Sequence, residues 1–498
     1  MAQFVTARFV LHTFCPESVI IDRRPIFANV EDMICVLIAE TNGRRSRTRN
    51  VLFAASIWDR VHSPGARRLA GSVLISLGGQ ALVLLGMFLA TRQSARDFGA
   101  IGFGVYQVAR RTLNVVVFPL MCGTGISIPR YLACSEGRRS EGGPWLLAGA
   151  SLAGGLQLAF LVLAAFFAAS LGRFTFGTAS TPPLFISLLV AITGLSIHNL
   201  GFSALRGLSR FPSAAALQVV NISLVPLAGI LMASGQASNA LLITGLLWIA
   251  IGGSVFVRVC QQSARPFPKA RDFRNSFRKL AVFGVPRTPG EVALFGLFAL
   301  PVYYAAGARS DVVRAGVLSF GMSLVQLVAS AFTAAGVVLL PYWSRASLRI
   351  PLDQSGKSIK PLLICSLLFA AAACGLLQLW LRPVSNVLLG SFADERIPEL
   401  RWVLIGMIPF AIYLVLRDYL DAVSVFPITT VALSTAFFSE FAVLQLTRLP
   451  IGVAIACGFS SLGLATLALW VGLLKMSSMK NRTQADVSSI VCHEPSGA

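Results

Sequence analysis

The chain is a succession of long apolar stretches separated by short polar ones. Each long stretch has enough residues, at 1.5 Å per helical residue, to cross a hydrocarbon core of about 30 Å. We therefore predict an all-α polytopic membrane protein with about twelve transmembrane helices. The predicted spans are 70–90, 98–121, 145–170, 183–205, 212–234, 239–257, 282–306, 313–340, 361–381, 401–423, 427–446 and 450–474.

Composition agrees with this pattern and excludes several functional classes. Of the 498 residues, 55% are hydrophobic and 13% are charged, whereas a soluble protein carries about 25% charged residues. The nine cysteines are scattered without paired spacing, and the four histidines form no cluster, so we predict no metal site and no cofactor. The sequence offers no carboxylate dyad and no nucleophile triad, so we predict that the protein is not an enzyme.

The net charge of +21 raises the question of a nucleic-acid partner. The positive residues are distributed unevenly between alternate loops, however. With the N-terminus inside, the predicted cytoplasmic segments contain 22 Lys or Arg and the outer segments contain 9. This is the bias of the positive-inside rule. We therefore predict that both termini are cytoplasmic and that the protein binds no nucleic acid.

A basic, proline-containing segment divides the predicted spans into two sets of six. We interpret 258–281 as a cytoplasmic linker between an N-terminal lobe, 67–257, and a C-terminal lobe, 282–475. A weak internal similarity between the second and eighth spans suggests a repeat. Residues 1–66 are interpreted as a cytoplasmic extension, poorly ordered or upstream of a mis-assigned start, and 476–498 as a C-terminal tail.

Two adjacent arginines in the middle of the second span are the strongest chemical signal. At 100° per residue, Gln107, Arg110, Arg111 and Asn114 lie within an arc of about 100°. A charge at the centre of a membrane helix costs about 2.5–3.5 kcal/mol, which suggests a function. The functional interpretation is anion binding, because guanidinium groups offer planar, bidentate donors that stay protonated. The alternatives are snorkelling to an interface, or pairing with carboxylates of another span.

The seventh span opens with a second polar motif. Two prolines and a glycine surround Arg287 and Glu291 in "PRTPGE", which suits a bend or hinge. Arg287 is a candidate third cationic contact to an anion, and Glu291 is a candidate proton- or cation-linked switch. The alternative is a helix start with a local ion pair between these two residues.

Other polar residues inside the spans are weaker candidates. His198, Asn221 and Gln326 either line a cavity or form hydrogen bonds between helices. Glu440 is the one carboxylate well inside the last two spans, and we consider it a second candidate for ion coupling.

Several short motifs give the chain a resemblance to a known family. They are "RDFGAIGFGVYQ…IPRYLA" (96–133), "LRGLSRF" (205–211), "FGVPRTPGEVALF" (283–295) and "LLPYWSRA" (339–346). Over about 67–475 the chain resembles Wzx-type polysaccharide flippases of the multidrug/oligosaccharidyl-lipid/polysaccharide (MOP) exporter superfamily.

The resemblance implies two six-helix lobes around a central cavity in the inner membrane. It also implies alternating access, with a polyprenyl-pyrophosphate-linked oligosaccharide moved from the inner to the outer leaflet for O-antigen, capsule or exopolysaccharide synthesis. Membrane lipids and the polysaccharide polymerase or assembly machinery are the implied partners.

Two other branches of the superfamily provide alternatives. Peptidoglycan-precursor flippases carry additional central cations on the first and eighth spans and have two more helices, which this chain lacks. Cation-coupled multidrug exporters typically place carboxylates in the cavity, whereas this chain offers three arginines. An anionic, oligosaccharide-linked lipid is therefore the expected substrate, and multidrug export is the alternative.

Overall fold

The computed structural model describes residues 64–134, 142–208, 210–263, 268–308, 311–346, 352–423 and 427–491. The chain divides into two units, Met1–Gly71 and Ser72–Ala498. Almost all of the predicted N-terminal extension lies outside the described residues. No strand occurs in the ranges described above, so the all-α prediction is confirmed.

Sixteen α-helices make up most of the described chain. They are α1 Pro64–Met121, α2 Thr124–Cys134, α3 Gly142–Phe166, α4 Ala168–Phe176, α5 Pro182–Gly207, α6 Phe211–Gln218, α7 Val225–Met232, α8 Ala237–Ser263, α9 Ala270–Gly284, α10 Thr288–Tyr303, α11 Val312–Ala346, α12 Leu352–Leu388, α13 Ile397–Ile405, α14 Met407–Val423, α15 Ile428–Leu446 and α16 Ile451–Val491. Short 3₁₀ segments lie at Gly177–Ala179, Val285–Arg287 and Ser391–Arg396, and π-helical segments at Val219–Leu224 and Tyr304–Ala308.

The predicted spans correspond closely to these helices. By length and composition, ten helical stretches among the described residues can cross a membrane, and they coincide with the third to twelfth predicted spans. An eleventh candidate joins Gly78–Met121 to Thr124–Leu132 with a bend of 48°. The first two predicted spans both lie in α1.

Helix α1 is too long to be one transmembrane helix. A straight helix of its 58 residues would measure about 87 Å, nearly three times the hydrocarbon thickness. Gly99 interrupts it with φ of 64° and ψ of −176°. That conformation is accessible to glycine at low cost because glycine lacks a Cβ. The interruption therefore separates the first predicted span from the second.

The gap between the first two predicted spans, 91–97, was expected to be an outer loop but is helical, so that expectation was wrong. Its polar side chains bond along the helix: Thr91 Oγ1 donates to the Met87 carbonyl at 2.8 Å, and Gln93 Nε2 donates to Asp97 Oδ2 at 2.8 Å. Polar residues ended the apolar pattern without ending the helix. The break comes at Gly99, where the backbone changes conformation.

Most of the predicted linker 258–281 is also helical. Helix α8 continues to Ser263, and α9 begins at Ala270 and leads directly through a 3₁₀ turn into α10. Helix α9 is amphipathic. Its buried face carries Ser276, Leu280 and Gly284 and contacts α3 and α2. The basic residues Arg271, Arg274, Arg278 and Lys279 are exposed.

Two close backbone crossings fix the second part of α1 against helices of the C-terminal half. At one end, Gly104 of α1 and Gly316 of α11 let the two helix backbones approach closely. A Cβ on Gly316 would lie 2.8 Å from the Gly104 Cα, which is too close for a larger residue. At the other end Gly284 of α9 lies against the Cys122 carbonyl. The pair of arginines lies between these crossings.

Candidate functional site

Arg111 connects α1 to α11 through hydrogen bonds. Its guanidinium group donates from Nε to Ser319 Oγ at 2.9 Å, from Nη1 to Gln326 Oε1 at 3.0 Å, and from Nη2 to Ser323 Oγ at 2.7 Å. A further bond runs from Nη2 to the Ser319 carbonyl oxygen. Only 5% of Arg111 is exposed. All these acceptors are neutral, so they satisfy its donors without neutralising its charge.

Gln107 belongs to the same buried contact. Its Oε1 accepts a hydrogen bond from Ser319 Oγ at 3.4 Å, and the residue is 2% exposed. Of the predicted cavity residues, Gln107, Arg111 and Gln326 are therefore brought together at the interface of α1 and α11.

Arg110 and Asn114 lie one turn apart on the other edge of the predicted polar face. Both are half-buried. Neither makes a hydrogen bond or an ion pair with another residue of the described chain. The predicted face thus divides into a buried edge, Gln107 and Arg111, and an open edge, Arg110 and Asn114.

The position of Arg110 along α1 bears on the two alternatives. It is eleven residues from the break at Gly99 and eleven from the helix end at Met121, or about 16 Å from each along the axis. This mid-span position does not favour snorkelling. Among the described residues, neither Arg110 nor Arg111 forms an ion pair with a carboxylate.

Helix α10 packs beside the same segment of α1. Tyr303 donates from its hydroxyl to Thr112 Oγ1 at 2.9 Å, and Phe118 stacks on Phe295 with ring centroids 3.9 Å apart. The arginine-bearing segment therefore contacts the first two helices of the C-terminal half.

The serines that bind Arg111 were missed by the sequence interpretation. Ser319, Ser323 and Gln326 follow a spacing of four and three residues, which places them on one face of a helix. That spacing is a usable signal, although serine is so common in membrane helices that it does not by itself indicate a partner.

His198 and Asn221 lie elsewhere, within the N-terminal half. They share a hydrogen bond of 2.9 Å between His198 Nδ1 and Asn221 Nδ2, and Trp248 Nε1 donates to the Asn221 carbonyl. Asn221 is fully buried, in the π-helical segment. The arrangement matches the alternative of a hydrogen bond between helices, rather than a position beside Arg110.

Arg287 and Glu291 do not form the local ion pair of the alternative interpretation, since no N–O distance between them is within 4.0 Å. The Arg287 guanidinium instead lies 4.0 Å from the centroid of the Phe283 ring, and its Nη1 donates to the Phe283 carbonyl at 3.2 Å. The reason is local geometry. Arg287 ends a 3₁₀ turn, where three residues per turn replace the spacing that aligns residues four apart in an α-helix.

Glu440 is fully buried, and neither carboxylate oxygen has a hydrogen-bond partner among the described residues. It lies where α15 meets α16. A Cβ on Gly458 would be 3.3 Å from the Glu440 Cδ and 3.1 Å from Leu297 Cδ1. The carboxyl group is therefore enclosed by α10, α15 and α16, remote in sequence from the arginine pair. No set of residues able to hold a metal ion is found within the described ranges.

The fold is similar to those of solved transporters. No protein-family model and no curated protein matches the chain. One similar structure is an inward-facing multidrug resistance MATE family transporter of the MOP superfamily, with a TM-score of 0.63 and 12% identity, covering 82% of this chain and 99% of the other. The outward-facing conformation of such a transporter gives a TM-score of 0.57 and 11% identity, covering 82% and 96%.

A third structure is a MOP superfamily transporter from Pyrococcus furiosus, described as having a binding pocket of reverse polarity that suggests a different function. It gives a TM-score of 0.50 and 13% identity, covering 82% of this chain and 95% of the other. At these identities the likeness concerns the fold. The chain has the fold of these MATE transporters, which have twelve helices in two lobes.

Proposed function

We propose that this protein is a transporter that moves a polyprenyl-pyrophosphate-linked oligosaccharide from the inner to the outer leaflet by alternating access of its two lobes. The observation that carries the proposal is the uncompensated charge at Arg110 and Arg111. Two guanidinium groups lie mid-span where the halves of the chain meet, and neither has a carboxylate partner in the described structure.

The two arginines fit different parts of this function. Arg111 is held by four hydrogen bonds to α11, so its charge is fixed in position. Arg110 keeps its five donors available because it is half-buried and bonded to no described residue. A pyrophosphate accepts several charge-assisted hydrogen bonds and supplies the missing negative charge. Asn114, one turn away, is placed to contribute a neutral amide to the same ligand.

Lipid extracts of a strain that lacks the protein test this function in the cell. We expect the polyprenyl-linked oligosaccharide to accumulate on the cytoplasmic face, because the carrier is loaded but not translocated. Wild-type protein supplied from a plasmid should restore its normal level. Unchanged lipids together with altered sensitivity to cationic drugs would contradict the proposal and favour the alternative.

The alternative is a cation-coupled multidrug exporter. The observation that favours it is the carboxyl group of Glu440, which is fully buried and has no hydrogen-bond partner in the part of the chain that the structure describes. Such a group is suited to bind and release a proton or cation during transport. The Glu440 carboxyl group does not provide a site for a cationic drug near Arg110, however. We therefore prefer an anionic substrate.

Replacing Glu440 by Met tests ion coupling in either kind of transporter. We expect the melting temperature to rise by a few degrees, because a polar group buried without partners destabilises the folded state. We also expect transport to fall, since the coupling group is gone. Glu395→Met, at an exposed carboxylate, is the matched control. Undiminished transport by Glu440→Met would exclude Glu440 from coupling.

A further inference from the structure

A second group of cations lies at the end of the bundle that the charge bias predicts to be cytoplasmic. It is formed where α2, α3 and α9 meet. We define the aromatic–cation cluster as Arg130, Tyr131, Trp145, Lys279, Phe283 and Arg287.

Three aromatic rings form the base of the cluster. Tyr131 and Trp145 are stacked, with centroids 4.4 Å apart and planes at 4°. Phe283 meets Tyr131 edge to face at 6.4 Å. All three are half-buried. Because they come from α2, α3 and α9, the rings join the N-terminal half to the helix that leads into α10.

Three cationic groups lie over these rings. The Arg130 and Arg287 guanidinium carbons are 5.2 Å and 4.0 Å from the same Phe283 centroid, and Lys279 Nζ is 5.9 Å from the Trp145 centroid. Cation–π contacts hold such groups in place without neutralising them. Arg130 and Lys279 are exposed, and Arg287 is half-buried.

The two acidic residues that interact electrostatically with Arg287 do not form ion pairs with the cluster. Asp421 and Glu291 attract Arg287 electrostatically, but neither lies within 4.0 Å of its nitrogens. Asp421 is bound instead to Arg417 at 3.6 Å and to the Thr429 hydroxyl at 3.1 Å. Three positive charges therefore converge on one aromatic base with no ion pair to a described carboxylate.

We propose that the aromatic–cation cluster binds the phosphate or pyrophosphate headgroup of a lipid at the cytoplasmic surface, before the lipid reaches Arg110. This inference rests on the proposed function, because it assigns the first contact of the same kind of substrate. Two guanidinium groups and an ammonium group provide charge-assisted donors to phosphate oxygens. The rings suit the interfacial depth at which lipid headgroups lie.

The arrangement separates capture from translocation. Arg287 and Arg130 belong to different halves of the chain, and the Gly284–Cys122 crossing fixes α9 beside the inner end of α1. A headgroup held at the cluster is therefore close to the end of the helix that carries Arg110. Arg110 lies eleven residues before that end, or about 16 Å along the axis.

The test compares two triple variants that remove the same charge. The first, Arg130→Gln, Lys279→Gln and Arg287→Gln, neutralises the cluster. The second, Arg271→Gln, Arg274→Gln and Arg278→Gln, neutralises the exposed face of α9. Full-length protein in phosphatidylcholine nanodiscs is titrated with fluorescent polyprenyl pyrophosphate, and separately with fluorescent phosphatidylglycerol. We expect the cluster variant to lose at least about tenfold in affinity for polyprenyl pyrophosphate relative to the control variant.

The two lipids distinguish the sources of the phosphate group. Loss for polyprenyl pyrophosphate alone identifies the carrier lipid as the ligand, and loss for both lipids identifies a general headgroup site. Equal affinities of the two triple variants for both lipids would overturn the inference. If the triple variant does not fold, Lys279→Gln alone replaces it, because this substitution alters only an exposed side chain. The expected loss of affinity for polyprenyl pyrophosphate is then smaller, about threefold.

Failure of this inference is distinguishable from failure of the proposed function. If the cluster binds lipid pyrophosphate but the protein translocates no oligosaccharide, the proposed function fails and the binding site stands. If translocation depends on Arg110 and both triple variants bind equally, the proposed function stands and the cluster has no role in capture.

Discussion

Replacing Arg110 by Ala should reduce the translocation of a lipid-linked oligosaccharide at least about tenfold. Hydrogen bonds to charged groups contribute about 1.5–3 kcal/mol each, and 1.4 kcal/mol corresponds to a factor of ten. The melting temperature should change little, because Arg110 bonds to no other described residue. Translocation is measured in proteoliposomes, and thermal unfolding is measured on the same preparations.

Two further variants make the Arg110 result specific. Arg96→Ala removes an exposed arginine from the same helix and should translocate at the wild-type rate. Arg110→Lys keeps the charge but loses the planar, bidentate geometry, so an intermediate rate is expected. Wild-type translocation by Arg110→Ala would exclude this residue from substrate binding.

Replacing Arg111 by Met should instead destabilise the protein, by about 1–3 kcal/mol. The variant removes four hydrogen bonds to α11. It also leaves the buried acceptor on Ser319 and the half-buried acceptor on Gln326 without their donor. Thermal unfolding in detergent measures the effect, which should appear as a melting temperature lower by several degrees.

The matched control for Arg111 is Arg92→Met, at an exposed position of the same helix. Its melting temperature should equal that of the wild type. Two neighbouring arginines thus give opposite expectations: loss of function without loss of stability at Arg110, and loss of stability at Arg111. An unchanged melting temperature for Arg111→Met would contradict the role of its bonds to α11.

The apolar pattern predicted the fold well because the bilayer sets the length of each span. Ten helical stretches coincide with predicted spans. The end of the first span was misplaced because Arg92, Gln93 and Arg96 are polar residues that also favour helix. The helix continues through them to Gly99. Hydropathy locates the membrane region of a helix, whereas backbone conformation determines where the helix is interrupted.

The site was predictable only as far as a single helix determines it. The helical spacing of 100° per residue placed four polar residues on one face of α1: Gln107, Arg110, Arg111 and Asn114. That placement is a property of α1 alone. The division of that face depends on α11, which covers Gln107 and Arg111 and leaves Arg110 half-buried. The choice of partner helix is a matter of tertiary packing that one sequence does not specify.

The aromatic–cation cluster illustrates the same limit more strongly. Tyr131, Trp145 and Phe283 belong to three separate helices, and no local spacing connects them. Only the packing of α9 on α2 and α3 brings their rings together. The sequence did indicate Arg287 as a candidate substrate contact, with a local ion pair to Glu291 as the alternative, but it did not indicate the observed contact with Phe283.

The central claim is that the substrate is an anionic lipid-linked glycan, and a paired transport assay tests it most directly. Wild-type protein and Arg110→Ala are reconstituted in proteoliposomes and given either a polyprenyl-pyrophosphate-linked oligosaccharide or a cationic dye. We predict that the wild type translocates the glycan lipid, that Arg110→Ala does so at least about tenfold more slowly, and that neither moves the dye. Transport of the dye by both proteins, with no movement of the glycan lipid, would contradict the claim.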